Sequence, residues 1–197
     1  MRYLAAFALA ILFASTASSQ GRIGVKAGPV FNYINTKGTQ YGTFSDLKTG
    51  FTFGVTYTMM AGKNLGIQPE LNFVSMSADE SITNSTIKMQ YVQIPVLLKL
   101  ITNKGNFSGY GGPQLAFLTK ATIERPTGKS DYVKNMTETE FGALIGVEYV
   151  TSLNITLNAR YVHGLSNVLK AEYDTYKSRN QMVVLTVGYL FRNKSKQ

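Results

Sequence analysis

Phe51-Thr52-Phe53-Gly54-Val55-Thr56-Tyr57-Thr58-Met59 alternates without a break: each odd-numbered side chain is large and apolar, and each even-numbered one is small or polar. An extended strand sends successive side chains to opposite faces, so this stretch has one apolar and one polar face. The same rhythm returns in seven other segments, joined by connections that are alternately very short and long. In a soluble sheet the apolar face meets a second layer, but no connection here has the pattern of a covering helix. The apolar partner that remains is lipid. Alternating segments of about ten residues, separated by turn residues, are how a transmembrane β-barrel reads in sequence.

Outward from this stretch, strands are predicted over about 22–34, 48–60, 65–77, 88–101, 107–118, 139–150, 153–164 and 180–191. Ala61-Gly62-Lys63-Asn64, Thr102-Asn103-Lys104-Gly105-Asn106 and Thr151-Ser152 are tight turns by composition. The connections around 35–47, 78–87, 119–138 and 165–179 are longer and polar. The expected fold is therefore all-β, an eight-stranded antiparallel up-and-down transmembrane β-barrel. An even strand number puts both chain ends on one side. Short turns face the periplasm in such barrels and long loops face outside. Pro95 removes a ladder donor from the fourth strand, so a bulge or distorted pairing is expected there. Gly109, Gly111, Gly112 and Pro113 leave the facing of the fifth strand unassigned. Aromatic residues gather near strand ends, as interfacial girdles do.

The first residues read differently. Met1-Arg2 precedes an apolar run over 3–14, and Ala17-Ser18-Ser19 forms a small-x-small site. This predicts an N-terminal signal peptide, residues 1–19, cleaved before Gln20, with residues 20–197 as a single outer-membrane barrel domain. The run is too short to span a bilayer as a helix, which takes about 20 apolar residues. The barrel itself escapes hydropathy analysis, since mean hydropathy is −0.03 and inward polar residues cancel outward apolar ones.

Composition excludes several chemistries. There is no Cys, which rules out thiol catalysis and cysteine metal sites, and one His cannot build a metal centre. No Gly-rich phosphate loop joins a strand to a helix. The net charge of +9 comes from scattered Lys and Arg. Without a basic helix or an aromatic-basic motif, this points to anionic headgroups and away from nucleic acid. Glu138 with Glu140, and Asp79 with Glu80, fall at loop edges and read as solvated pairs. His163, near the outer end of the seventh strand, is the one general-base candidate. Ser166 is three residues away, an odd offset that puts the two on opposite strand faces.

The inward-facing positions collect Lys26, Gln68, Glu70, Gln93, Lys99, Glu148 and Arg160. An eight-stranded barrel is just wide enough for side chains to fill it, and buried charges need partners. A structural polar network inside the barrel is expected, with no catalytic, cofactor or metal residues.

Tyr91-Val92-Gln93-Ile94-Pro95-Val96-Leu97-Leu98-Lys99, Arg160-Tyr161-Val162-His163-Gly164-Leu165-Ser166-Asn167, Gly111-Gly112-Pro113 and the closing Val187-Gly188-Tyr189-Leu190-Phe191 resemble recurrent segments of the PorT-like outer-membrane β-barrel domain family, common in Bacteroidetes. The resemblance covers essentially the whole chain after the leader. It implies an eight-stranded barrel in the outer membrane of a Gram-negative bacterium, inserted by the barrel-assembly machinery. It also implies Gly188, Tyr189 and Phe191 as the C-terminal assembly signal. The six residues after Phe191 depart from barrels that stop at the aromatic. Most members carry no assigned activity, and nothing here singles out the secretion role of the namesake.

The expected function is a non-enzymatic, monomeric outer-membrane barrel that needs no cofactor. It acts through its long loops on an extracellular or periplasmic partner, and outer-membrane lipid surrounds it. Three other readings stand beside it: a narrow channel or transport and secretion accessory, an outer-membrane lipid-modifying enzyme with His163 as base, and a soluble lipocalin-like barrel with its apolar face inward.

Overall fold

The computed structural model describes residues 21–37, 48–80, 85–125, 128–131, 137–166 and 177–191. The leader and its cleavage site lie outside them. The chain forms β1 (Arg22–Lys37), β2 (Lys48–Met60), β3 (Leu65–Glu80), β4 (Ser85–Ile101), β5 (Phe107–Arg125), β6 (Gly128–Asp131), β7 (Thr139–Val150), β8 (Ile155–Gly164) and β9 (Lys177–Leu190). All pairings are antiparallel between sequence neighbours, apart from β5 with β7 across the short β6. The last strand returns to the first, with Gly24 opposite Leu190 and Ile34 opposite Asn180. Closure leaves no sheet edge in the membrane, the condition for crossing lipid with strands.

Parity decides the faces. On β7, Phe141, Ile145, Val147 and Tyr149 are exposed while Glu140, Gly142, Leu144 and Glu148 are buried. Ile23, Val25, Phe51, Phe53, Leu98, Leu100, Leu157 and Val187 join the same outward band, each more than 40 % exposed. So continuous an apolar surface around a closed barrel is a membrane face. The apolar side chains point out, opposite to the lipocalin-like arrangement.

One correction to the expected strands and one refinement follow from pairing. First, β3, β4 and β5 run for 16, 17 and 19 residues, whereas a tilted strand crosses the hydrocarbon in roughly 9–11. They are therefore longer than the hydrocarbon requires. Much of the expected connection 119–138 is strand, and β6 pairs with the tip of β5, Arg125 opposite Gly128. Second, of the bulge or distorted pairing expected at Pro95, the distorted pairing is what forms. Pro29, Pro69, Pro95 and Pro113 each stand at a short gap in one ladder, with the same register resuming on the far side. The missing donor costs a bond but not the alignment.

The bulge lies higher, where Gln90 pairs with Lys120 and Tyr91 with Leu118. Thr119 is the extra residue, and its Oγ1 donates to the Gln90 carbonyl at 3.0 Å. One inserted residue reverses the parity of the strand. Below the bulge Ser108, Tyr110, Gln114 and Ala116 are buried, and above it Ala121 and Ile123 are. The facing of β5 is thereby settled, with Gly109, Gly111 and Pro113 outward. Gly112 faces in where β4 comes closest: a Cβ there would sit 2.1 Å from the Val96 carbonyl oxygen. A side chain at this position would have to part the two strands.

Candidate functional site

The inward positions build two layers. Toward the turn end the lumen is polar. Glu70 on β3 accepts hydrogen bonds from Lys26 Nζ at 2.5 Å, Arg160 Nη1 at 2.8 Å and Nη2 at 3.2 Å, Gln68 Nε2 at 2.8 Å and Asn72 Nδ2 at 3.1 Å. Arg160 Nε donates to Asn158 Oδ1 at 3.4 Å, and Asn158 Nδ2 to Glu148 Oε2 at 3.5 Å. Lys99 pairs with Glu148 and donates to Gln68 Oε1 at 3.0 Å. The chain of bonds from Glu70 through Arg160, Asn158, Glu148, Lys99 and Gln68 returns to Glu70 as a closed ring. It ties β3, β4, β7 and β8 across the lumen, with Lys26 holding β1 to it.

The forked guanidinium suits this task because it meets both carboxylate oxygens at once. Its plane lies near the Tyr110 ring, 5.5 Å from the centroid, and Tyr110 OH donates to Asn158 Oδ1 at 2.7 Å. Gly146 makes room for that ring, since a Cβ there would meet the Tyr110 hydroxyl at 2.4 Å. Thr58 Oγ1 donates to Gln68 Oε1 at 2.7 Å. Glu70 is 3 % exposed and Arg160 6 %. A carboxylate removed from water survives only with compensation of this kind.

Toward the loop end the lumen turns apolar. Val30, Val74, Met76, Met89, Leu144, Val162, Met182 and Val184 are buried there in one cluster. Beside this layer a cavity of about 10 Å³ is lined by Tyr91, Gln93, Gln114, Glu140, Asn180 and Met182, among others. That is room for about one water. Tyr91 OH donates to Glu140 Oε1 at 2.7 Å. Two larger concavities, of about 810 and 650 Å³, lie on the outer wall. One follows Gly109, Gly111 and Ala159; the other passes over Ala27 between Phe53 and Tyr189.

Of the inward residues expected from sequence, Lys26, Gln68, Glu70, Lys99, Glu148 and Arg160 meet in the ring and its attachments. Gln93 is buried but stands in the upper cavity, apart from them. Tyr110, Asn158, Thr58 and Asn72 are further members that the sequence reading missed. Glu140 corrects it outright: it is 6 % exposed and inside the barrel, while Glu138 is exposed. The signal was present in parity, because Glu140 shares the phase of Gly142, Gly146 and Glu148.

His163 lies on the outer wall beside Tyr161, with Nδ1 3.4 Å from its hydroxyl. Ser166 Oγ accepts from the Phe141 amide at 2.9 Å. At the C-terminal seam the Phe191 amide donates to the Ile23 carbonyl at 2.8 Å, and the Tyr189 and Phe191 rings pack edge to face at 5.4 Å. Gly188 faces inward there, where a Cβ would come within 2.5 Å of the Val25 carbonyl. Among the described residues no group of three or more His, Cys, Asp or Glu is placed to hold a metal ion.

The geometry can be set beside known proteins. A profile of the family described as "outer membrane protein beta-barrel domain" matches residues 13–170. No curated protein matches the chain. Among solved structures, neisserial surface protein A superposes with a TM-score of 0.61 at 15% identity, covering 86% of this chain and 97% of that one. Ail, the attachment invasion locus protein of Yersinia pestis, gives 0.57 at 17% identity, with 87% and 99% covered. Ail in complex with the heparin analogue sucrose octasulfate gives 0.55 at 16% identity, with 87% and 99% covered. At these identities the likeness is one of fold.

Proposed function

Because the chain belongs to the outer membrane protein beta-barrel domain family, we propose that it is a non-enzymatic outer-membrane barrel with a permanently filled interior, whose long outer connections meet a partner. Membership carries the outer-membrane location, and the fold carries the closed barrel. The observation behind the finer reading is the ring from Glu70 through Arg160, Asn158, Glu148, Lys99 and Gln68, capped by the apolar layer above it. A lumen crossed by hydrogen-bonded charges, with Met and Val side chains packed above them, supports a filled interior over an open pore. Function is thereby displaced to the rims, where connections on a rigid scaffold are free to specialise.

The same reading makes the protein a monomer delivered by the barrel-assembly machinery, with Gly188, Tyr189 and Phe191 as the terminal-strand signal. It also keeps the narrower PorT-like grouping, which rests on the residue resemblances given above. Planar bilayer recording tests the filled interior. Purified protein inserted in detergent-free bilayers is expected to be silent. Stepwise conductance from the wild type, lost when Met182 and Val184 are exchanged for larger residues, would overturn it in favour of a channel.

A further inference from the structure

We propose that the turn end of the barrel is a docking rim for anionic phospholipid headgroups of the inner leaflet. Bases occur at both ends of the barrel, but the acidic residues do not. Of the eleven acidic residues, eight fall in the outer connections and strand tips and three, Glu70, Glu140 and Glu148, lie inside the barrel. Among the described residues no acidic side chain is exposed at the turn end. That end carries Arg22 at the start of β1, Lys63 in the β2–β3 turn and Lys104 in the β4–β5 turn, all exposed. Arg192, Lys194 and Lys196 follow Phe191 in the sequence, outside the described residues.

A second observation sets their depth. Outward on the wall next to these turns stand Tyr57, Tyr149 and Tyr189, with Phe107 and Phe191. The outward aromatics in the loop-side half of the described strands are phenylalanines, Phe31, Phe51, Phe73, Phe117 and Phe141, with one tyrosine, Tyr161. Tyrosine sits at the headgroup level because its ring is apolar and its hydroxyl is wet. Bases one turn beyond a tyrosine belt lie at the depth of lipid phosphates. With no acidic side chain exposed beside them among the described residues, each attracts an anionic headgroup by on the order of fivefold. The bases are spread over separate turns and do not converge on a pocket, which fits a ring of lipids and not one soluble phosphate.

This inference rests on the placement of the turns at the inner leaflet and is independent of what the outer connections bind. The test is electron paramagnetic resonance of spin-labelled phosphatidylglycerol and phosphatidylcholine in bilayers holding the full-length protein. The ratio of motionally restricted label between the two lipids is expected to exceed one for the wild type. It is expected to fall clearly below the wild-type value in R22Q/K63Q/K104Q, and to about one in about 1 M salt, where charges are screened within about 3 Å. The variant changes only exposed groups, and its resistance to unfolding on unheated gels checks that the barrel has formed. A wild-type ratio of one overturns the proposal, as does a ratio unchanged in the variant. Loss of the preference on adding millimolar inorganic phosphate would also overturn it, by revealing a phosphate site instead of a lipid rim.

Discussion

Glu70→Gln is the most searching perturbation of the interior. The side chain keeps its shape and one carbonyl acceptor, but two cations, Lys26 at 2.5 Å and Arg160 at 2.8 Å, lose their anion in a setting where Glu70 and Arg160 are 3 % and 6 % exposed. Removing one partner of a buried ion pair costs about 3–5 kcal/mol, because the abandoned charge stays out of water. With two cations abandoned, the upper end, about 5 kcal/mol, is expected. The assay is urea unfolding in vesicles, followed by tyrosine fluorescence and by the mobility shift of unheated samples.

Two comparisons isolate the cause. K26M/E70L/R160M replaces all three charges with apolar groups of similar volume and is expected to regain most of the loss, since apolar replacement of a buried ion cluster is often neutral or better. E124Q removes one end of the outer pair Lys88–Glu124, at 2.9 Å with side chains 57% and 26% exposed, and is expected to cost about 0–1 kcal/mol. A cost for Glu70→Gln no larger than for E124Q would mean that water reaches Glu70. The filled lumen, and the function proposed from it, would fall together.

Three other outcomes are expected. Tyr91→Phe deletes the hydroxyl that donates to buried Glu140 and should cost about 1–3 kcal/mol in the same unfolding assay; in an E140L background the cost should drop below about 1 kcal/mol, and an equal cost in both would refute the coupling. Ile145→Lys, at the middle of the lipid band and 66% exposed, should destabilise by about 2–4 kcal/mol, whereas Leu153→Lys at the turn tip, 70% exposed, should cost about 0–1 kcal/mol; equal costs would contradict the depth assigned to the wall. His163→Ala should leave both barrel stability and the lipid composition of the outer membrane, measured by mass spectrometry, unchanged, and an altered composition would restore the enzyme reading.

The layered interior shows where sequence reading stops. The residues of the polar ring were selected by phase alone, since Lys26, Glu70, Lys99, Glu148 and Arg160 each alternate with outward apolar neighbours. Glu140 has the same phase and was misread because a neighbouring carboxylate and a nearby loop made it look solvated. Val184 and Met182 gave no signal, being apolar residues in a run of apolar residues, Met182-Val183-Val184-Leu185. The upper plug was therefore invisible. On β5 the reading failed for a different reason. Thr119 reverses the phase of everything beyond it, and nothing in Leu118-Thr119-Lys120 marks the inserted residue.

By itself the sequence determined the eight long strands, the faces of all but β5, and the lipid-facing band. A period of two is a local property, written into each segment by the side chains of that segment. Which inward residue touches which is not local. Glu70 and Arg160 are 90 positions apart, and they meet because closure of β9 on β1 and the register of every strand between them place both at one height in the lumen. A slip of two residues in any ladder would keep every face correct and separate the pairs. Only the tertiary structure, through that accumulated register, decided that the inward charges form a ring with an apolar layer over it.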